Sequence, residues 1–144
     1  MNEKFWPALL ALAVSATGFA FLVQKYAPRR GQTFVEPEEL KKRLDAGEDI
    51  LVLDLRPAGE YDARTGHIPG AVSLPVADFT NRLEAIRDQL EPFKKQMIIV
   101  ACRFENRSPK VANSLKEEGF SNVAVLKGGF MRWMRHGLPT DVTS

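Results

Sequence analysis

The fold of this chain is decided by the stretch Met97-Ile98-Ile99-Val100-Ala101-Cys102-Arg103-Phe104-Glu105-Asn106-Arg107-Ser108-Pro109. Its first five residues are apolar and rich in β-branched side chains, which is typical of a buried strand. Ser108 is a favourable N-cap and Pro109 suits the first turn of a helix, so we expect a helix to begin there. The single cysteine of the sequence, Cys102, therefore lies on a strand–loop–helix turn.

Cys102 has surroundings that favour nucleophilic chemistry. The backbone N–H groups of such a loop, together with the N-terminus of the next helix, can hold an anion. Arg103 and Arg107 add positive charge, and such a setting stabilises a thiolate. A lone cysteine is more often a small buried core residue. Because Cys102 ends the apolar run instead of lying inside it, the residues alone leave both interpretations open.

Strand and helix patterns alternate along the rest of the chain. Apolar runs predict further strands at 50–53, 72–74 and 123–126. Capping residues and helical spacing predict helices from Pro37 to a stop at Gly47, and over 79–90, 109–118 and 130–136. This alternation indicates an α/β fold with a parallel sheet that is covered by helices on both faces.

Three segments, in this order along the chain, resemble the rhodanese-like sulfurtransferases. The first contains Asp54-Leu55-Arg56 with Glu60, then Gly66-His67-Ile68-Pro69-Gly70-Ala71 and Pro75. The second is the loop Cys-x-x-x-x-Arg-Ser that begins at Cys102. The third contains Leu126-Lys127-Gly128-Gly129-Phe130, then Trp133 and Gly137-Leu138-Pro139. The resemblance covers about residues 33–140 and implies a rhodanese-like parallel sheet, in a domain that we place at residues 34–140.

The resemblance also implies an activity. A sulfane sulfur would move from a donor to a thiophilic acceptor through a persulfide on Cys102, without a cofactor or a metal. The residues expected to bind substrate are those of the loop, Arg103, Phe104, Glu105, Asn106, Arg107 and Ser108. With no second cysteine in the sequence, the acceptor is external: cyanide, a thiol or a protein cysteine.

Four polar residues outside the loop are expected to support the structure. Asp54, Arg56 and Glu60 follow a predicted strand, where a partly buried acid–base network would hold the chain in place. His67 lies in Gly-His-Ile-Pro-Gly, a turn sequence, and we interpret it as a hydrogen-bonded turn residue. A catalytic role for these residues is the alternative.

The loop departs from the usual family pattern at Glu105, where a glycine is common. Glycine permits a positive φ angle, whereas glutamate at positive φ is strained. Its negative charge would also repel anionic donors. The sequence therefore predicts that thiosulfate is a poor donor and that Glu105→Gly raises activity toward it.

Two other functions stay open on the sequence. The first is a non-catalytic, membrane-tethered interaction module that keeps the fold and uses the loop to hold a partner. The second is phosphatase or arsenate reductase chemistry, which related folds perform. That chemistry needs five residues between cysteine and arginine, and here there are four, with Ser108 where the arginine would stand. We therefore disfavour the second.

The amino-terminal segment predicts a membrane anchor. Phe5 to Val23 contains no charged residue, and as a helix it would span ~28 Å, close to the thickness of the hydrocarbon core. We assign residues 1–24 to a transmembrane helix and residues 25–33 to a polar linker. A cleaved signal peptide is the alternative, with a cleavage site at Val14-Ser15-Ala16. The apolar run continues beyond that site, which favours a retained anchor.

Charge around this segment predicts its orientation. Lys25, Arg29 and Arg30 follow the span, against Lys4 before it, so the domain is expected to face the cytoplasm from the cell inner membrane as a single-pass protein. Residues 31–144 hold 16 of the 20 basic and 17 of the 18 acidic residues and are near neutral. The expected partners are thus a sulfur donor, an acceptor and the membrane, and not nucleic acid.

Overall fold

A five-stranded sheet forms the centre of the structure, a computed structural model that describes residues 31–143 apart from the side chains of Asp78, Thr80 and Asn81. The strands are β1 (Thr33–Val35), β2 (Ile50–Asp54), β3 (Val72–Ser73), β4 (Met97–Ala101) and β5 (Val123–Leu126). Their order across the sheet is β1-β5-β4-β2-β3, and every neighbouring pair is parallel. The predicted parallel sheet is confirmed, and the strand that ends before Cys102 lies at its middle.

Four helices connect consecutive strands: α1 (Pro37–Asp45), α2 (Ala58–Tyr61), α3 (Val76–Leu90) and α4 (Ser108–Glu117). A fifth, α5 (Gly129–Arg135), follows β5. A turn of 3₁₀-helix, Glu91–Phe93, follows α3. The four predicted helices correspond to α1, α3, α4 and α5, and they are confirmed with small differences at their ends. Strand β1, helix α2 and the 3₁₀ turn were not predicted, because three or four residues are too few to show a period. The equally short β3 was predicted from its apolar residues, Val72 and Leu74.

Alternate residues of β4 face opposite sides of the sheet, as the period of a strand requires. Ile98 and Val100 belong to a buried cluster with residues of α3 and α4, which include Phe79, Val111 and Leu115. Ile99 and Ala101 belong to a second buried cluster with residues of α1 and α5, which include Leu40, Phe130 and Trp133. Helices therefore cover both faces, as predicted.

The predicted membrane span, Phe5 to Val23, lies outside the described residues. Between residues 31 and 143, no helix is long and apolar enough to cross a bilayer. The segment Gln32–Ser144 forms one compact unit. Its first strand begins at Thr33, which is the last residue of the segment that the sequence predicted as a linker.

Candidate active site

The sulfur of Cys102 lies just beyond the carboxyl end of β4, and the residue is only 2% exposed. Its polar neighbours all come from its own loop and the start of α4. The backbone N–H of Arg107 donates to Sγ at 3.5 Å, and Sγ donates to Oδ1 of Asn106 at 3.7 Å. The hydroxyl oxygen of Ser108 lies 3.3 Å from Sγ. The loop thus closes around the sulfur and offers it both donors and acceptors.

Ser108 does not have the capping role that the sequence predicted. The N-cap of α4 is Arg107, which caps the helix without a side-chain hydrogen bond, and Ser108 is the first helical residue. The Ser108 hydroxyl donates to the carbonyl oxygen of Glu105 in the loop at 3.4 Å, and it also contacts the sulfur of Cys102. The N-cap prediction was wrong: the helix begins one residue earlier than expected, and the Ser108 hydroxyl bonds within the loop instead of capping the helix.

A cavity of about 270 Å³ lies above the sulfur. Its wall is formed by Leu55, Arg56, Pro57, Glu60, Cys102, Arg103, Phe104, Asn106 and Arg107. Three arginines and one glutamate therefore line a small space, and this excess of positive residues suits an anion. Among residues 31–143, no group of three or more His, Cys, Asp or Glu side chains is placed to hold a metal ion.

The predicted substrate-binding residues divide into two sets. Arg103, Phe104, Asn106 and Arg107 line the cavity, whereas Glu105 and Ser108 are not part of its wall. Glu105 has a φ angle of 82°, and it is the one non-glycine residue at positive φ in the described part of the chain. The strain anticipated from the sequence is therefore present, at roughly 1–3 kcal/mol. The Glu105 carboxylate accepts a hydrogen bond from the backbone N–H of Gly128.

The start of α5 lies against the loop. The N–H of Phe130 donates to the carbonyl oxygen of Cys102 at 2.8 Å, and the N–H of Met131 donates to that of Arg103 at 3.0 Å. A Cβ atom on Gly129 would collide with both of these carbonyl groups. Sequence analysis missed this contact, although the doublet Gly128-Gly129 was a signal that two backbones meet closely.

Asp54 and Arg56 form a buried ion pair at the end of β2, next to β4. Nη2 of Arg56 lies 2.7 Å from Oδ2 of Asp54, and the two side chains are 3% and 1% exposed, respectively. The same guanidinium donates to the carbonyl oxygens of Gly66 at 3.0 Å and Glu60 at 3.3 Å, and it lies over the ring of Phe130. Arg56 therefore joins the end of β2 to helix α2, to the loop at Gly66 and to α5, and it also lines the cavity.

The entrance of the cavity is formed by charged and aromatic side chains. The carboxylate of Glu60 lies 3.5 Å from Nη1 of Arg103, and both side chains are more than one third exposed. The guanidinium of Arg103 also lies 5.2 Å from the ring centre of Phe104, which is 52% exposed. Glu60 was predicted only as structural support, and the structure adds a place for it in the cavity wall.

His67 is buried in a turn and is not part of the cavity wall. Its ring stacks on that of Tyr61 with centres 3.8 Å apart, and its Nδ1 lies 3.2 Å from the carbonyl oxygen of Tyr61. Its backbone pairs with that of Asp141. Burial, followed by the nearby carboxylate of Asp54, raises the pKa of Tyr61, whose hydroxyl donates to the carbonyl oxygen of Ala71 at 2.6 Å.

Comparisons with known proteins agree with this arrangement. The rhodanese-like domain family matches residues 36–136. A sulfurtransferase from Allochromatium vinosum is 33% identical over 105 residues, which are 73% of this chain and 91% of that protein. A tRNA uridine(34) hydroxylase from Buchnera aphidicola is 27% identical over 93% of this chain, which spans only 42% of that protein.

A crystal structure of thiosulfate sulfurtransferase from Pseudomonas aeruginosa is similar at a TM-score of 0.67 and 31% identity. The similarity covers 88% of this chain and 22% of that one, so the likeness is to one part of a longer protein. Fold, sequence match and relatives lead to the same conclusion. The chain belongs to the rhodanese-like domain family and is homologous to sulfurtransferases.

Proposed function

We propose that this protein is a sulfurtransferase that carries a sulfane sulfur as a persulfide on Cys102. The observation that carries the proposal is the position of Cys102, which lies at the wall of an arginine-lined cavity at the end of the central strand. A backbone N–H donates to its sulfur. The same N–H is placed to donate to the sulfur anion that would attack the donor.

The first step would be attack of the Cys102 thiolate on the outer sulfur of the donor. A bond forms between Sγ and this sulfur while the bond from the outer sulfur to the rest of the donor breaks. The leaving group departs with the electron pair; from thiosulfate it is sulfite. The product would be a persulfide whose terminal sulfur carries the negative charge. Arg103 and Arg107, which line the cavity beside Cys102, would offset that charge.

The second step would return the cysteine to its starting state. A nucleophilic acceptor, such as cyanide, a small thiol or a protein cysteine, attacks the terminal sulfur of the persulfide. The bond between the two sulfurs breaks, and its electron pair returns to Sγ as a thiolate. A persulfide on Cys102 has no other cysteine in the chain to resolve it, so the acceptor must come from outside.

The decisive experiment compares wild-type protein with Cys102→Ser after treatment with thiosulfate, a small organic persulfide and a protein persulfide. We expect the wild-type protein to gain the mass of one sulfur atom in intact-mass spectra, and this gain to disappear on addition of cyanide. The serine variant should keep the fold and gain nothing, because a hydroxyl is not a comparable nucleophile. Sulfur loading of the serine variant would refute Cys102 as the carrier.

The same experiment separates the enzyme from the interaction module. A wild-type protein that takes up sulfur from none of the three donors, although its cysteine is reduced and its thermal unfolding is cooperative, would favour a non-catalytic role. In that case the exposed Phe104 and the ion pair of Arg103 and Glu60 at the cavity entrance are the features that a partner would contact.

We also propose that the domain is tethered to the cell inner membrane and faces the cytoplasm. The support is the uncharged segment from Phe5 to Val23 and the basic residues Lys25, Arg29 and Arg30 that follow it. A tether at this surface would restrict the donors and acceptors to those of the cytoplasm, where thiols are kept reduced. Separation of the membranes from the soluble fraction of cells that make the whole chain tests this part of the proposal, which predicts the protein in the membranes.

A further inference from the structure

We infer that Glu105 is a positioning residue: its carboxylate, by accepting the N–H of Gly128, holds the loop 102–107 in the conformation that sulfur transfer needs. The inference rests on the proposed function and deepens it. A glutamate at a φ of 82° is strained where a glycine would not be. Such strain persists where the surrounding contacts over-determine the conformation, and here the side chain makes one of those contacts.

Three residues of the loop supply hydrogen-bond acceptors to the start of α5. The first N–H groups of a helix have no partners within the helix. Here the N–H of Phe130 binds the Cys102 carbonyl, that of Met131 binds the Arg103 carbonyl, and that of Gly128 binds the Glu105 carboxylate. A Cβ atom on Gly129 would collide with the carbonyls of Cys102 and Arg103, so the loop lies as close to the start of α5 as the backbones allow. The hydrogen bonds hold the two segments at this distance, and a shift of one would therefore displace the other.

The conformation at Glu105 determines what surrounds the sulfur. Asn106 and Arg107 follow directly, and they supply the acceptor at 3.7 Å and the backbone donor at 3.5 Å from Sγ. The carbonyl of Glu105 itself accepts from the hydroxyl of Ser108, which is the third polar neighbour of the sulfur. A backbone rotation at Glu105 would therefore displace all three polar neighbours of Sγ together.

Positioning and charge repulsion predict opposite effects of removing the carboxylate. If Glu105 repels anions, as its charge alone suggested, then alanine and glutamine should both improve reactions with anionic reagents. If Glu105 holds the loop, alanine should impair them and glutamine should not, because an amide oxygen can also accept the Gly128 N–H. The charged groups of the cavity wall, Arg56, Glu60, Arg103 and Arg107, are the same in every variant.

The test measures the alkylation rate of Cys102 by iodoacetate, which is anionic, and by iodoacetamide, which is neutral and of similar size. Their ratio reports how well the loop holds an anion at the sulfur, and it is insensitive to a general change in access. The variants are Glu105→Ala, Glu105→Gln and Glu105→Gly, with Glu117→Ala, an exposed carboxylate at the last residue of α4, as the matched control. Thermal unfolding confirms that each variant is folded.

We expect the ratio to fall about tenfold in Glu105→Ala and to stay within about twofold of wild type in Glu105→Gln. Glu105→Gly should fall between the two, because it loses the contact but relieves the strain. This replaces the rise in activity that the charge of Glu105 alone predicted for the glycine variant. The control should match wild type. A ratio that is equal in the alanine, glutamine and wild-type proteins, or that rises in both variants, would overturn the positioning role.

Alkylation does not depend on sulfur transfer, so the two proposals can fail separately. A wild-type protein that shows the expected ratios but never gains sulfur refutes the transferase and keeps the positioning role. Where sulfur loading is observed, its single-turnover rate should follow the same order, with glutamine above glycine and glycine above alanine. Loading at the wild-type rate in Glu105→Ala would contradict the inference even with the function intact.

Discussion

The backbone and the side chain of Arg107 have different roles at the site, and substitution can separate the two roles. Its backbone N–H donates to Sγ, whereas its side chain is exposed and lines the cavity. Arg107→Ala keeps the first contact and removes the second. We therefore expect the variant to retain a reactive cysteine and to lose affinity for anionic donors. A hydrogen bond to a charged group contributes about 1.5–3 kcal/mol, which corresponds to a loss in kcat/KM of roughly ten- to a hundredfold.

The measurement is kcat/KM for thiosulfate at low ionic strength in Arg107→Ala, Arg107→Lys and wild type. Lysine restores the charge without the bidentate fork, so its value should lie between the other two. Lys110→Ala, which removes an exposed cation of α4 that is outside the cavity wall, is the control. Equal rates in all four proteins would remove the Arg107 side chain from donor binding.

Substitution of Asp54, which is not part of the cavity wall, tests the structural role of its buried ion pair with Arg56. Asp54→Asn is nearly isosteric but leaves the charge of Arg56 buried without its partner. Breaking a buried pair by removing one charge typically costs about 3–5 kcal/mol, so we expect a loss of that size in the free energy of unfolding by urea. Glu118→Gln, which removes an ion pair with the largely exposed Arg87, should cost less than about 1 kcal/mol. Similar losses in the two variants would contradict the scaffold role.

At the scale of single elements, α5 is the helix that the site depends on most. Gly129 and Gly137 both have positive φ angles, 63° and 64°, but only Gly129 lies where a Cβ atom would collide with the loop. Gly137→Ala should therefore cost about 1 kcal/mol of backbone strain. Gly129→Ala should cost about 1–3 kcal/mol more, because the clash forces α5 away from the carbonyls of Cys102 and Arg103.

Urea unfolding of both glycine variants, together with their rates of sulfur loading, checks this prediction. We expect Gly137→Ala to load sulfur at nearly the wild-type rate and Gly129→Ala to be slower as well as less stable. The comparison is informative because the backbone strain is matched. If the two variants unfold at the same urea concentration, the close packing of α5 on the loop is not what makes Gly129 necessary.

The elements that sequence analysis predicted well are those with a strong pattern and an ordinary length. The run at 97–101 was predicted with its observed bounds, and α3 was recognised from the spacing of Phe79, Leu83, Ile86 and Leu90. The short β1 and α2 escaped detection because their stability comes from tertiary contacts and not from local pattern. Strand β1, for example, is ordered by parallel pairing with β5, from which it is separated by about 90 residues.

The sequence predicted the position of Cys102, but not the contacts that the surrounding side chains make. Local sequence was enough to place Cys102 beyond a strand and before a helix, and to identify Glu105 as a residue that would be strained at positive φ. The direction of its side chain was not predictable, since Gly128 is 23 residues away and on another element. Ser108 shows the same limit, because its hydroxyl could serve either the helix or the loop, and only the folded geometry decides.

At the scale of the whole molecule, charge is distributed unevenly along the chain. The residues from 31 onward are near neutral, whereas a cluster of basic residues stands beside the uncharged segment from Phe5 to Val23. A neutral domain has little electrostatic affinity for a bilayer, so attachment should depend on the apolar segment. We therefore expect the full-length protein to stay with membranes after extraction at high salt and at alkaline pH.

A charge placed in the middle of the segment should disrupt this attachment. Val14→Arg introduces a cost of about 2.5–3.5 kcal/mol at the bilayer centre, whereas Val14→Ile, its matched control, should insert as the wild type does. Intact-mass analysis of the wild-type protein should give the uncleaved chain, and the domain should resist protease in spheroplasts, because the basic residues after the span keep it inside. A mature chain that begins near residue 17, or a domain digested from outside, would show that the segment is a signal for export and would place sulfur transfer on the other side of the membrane.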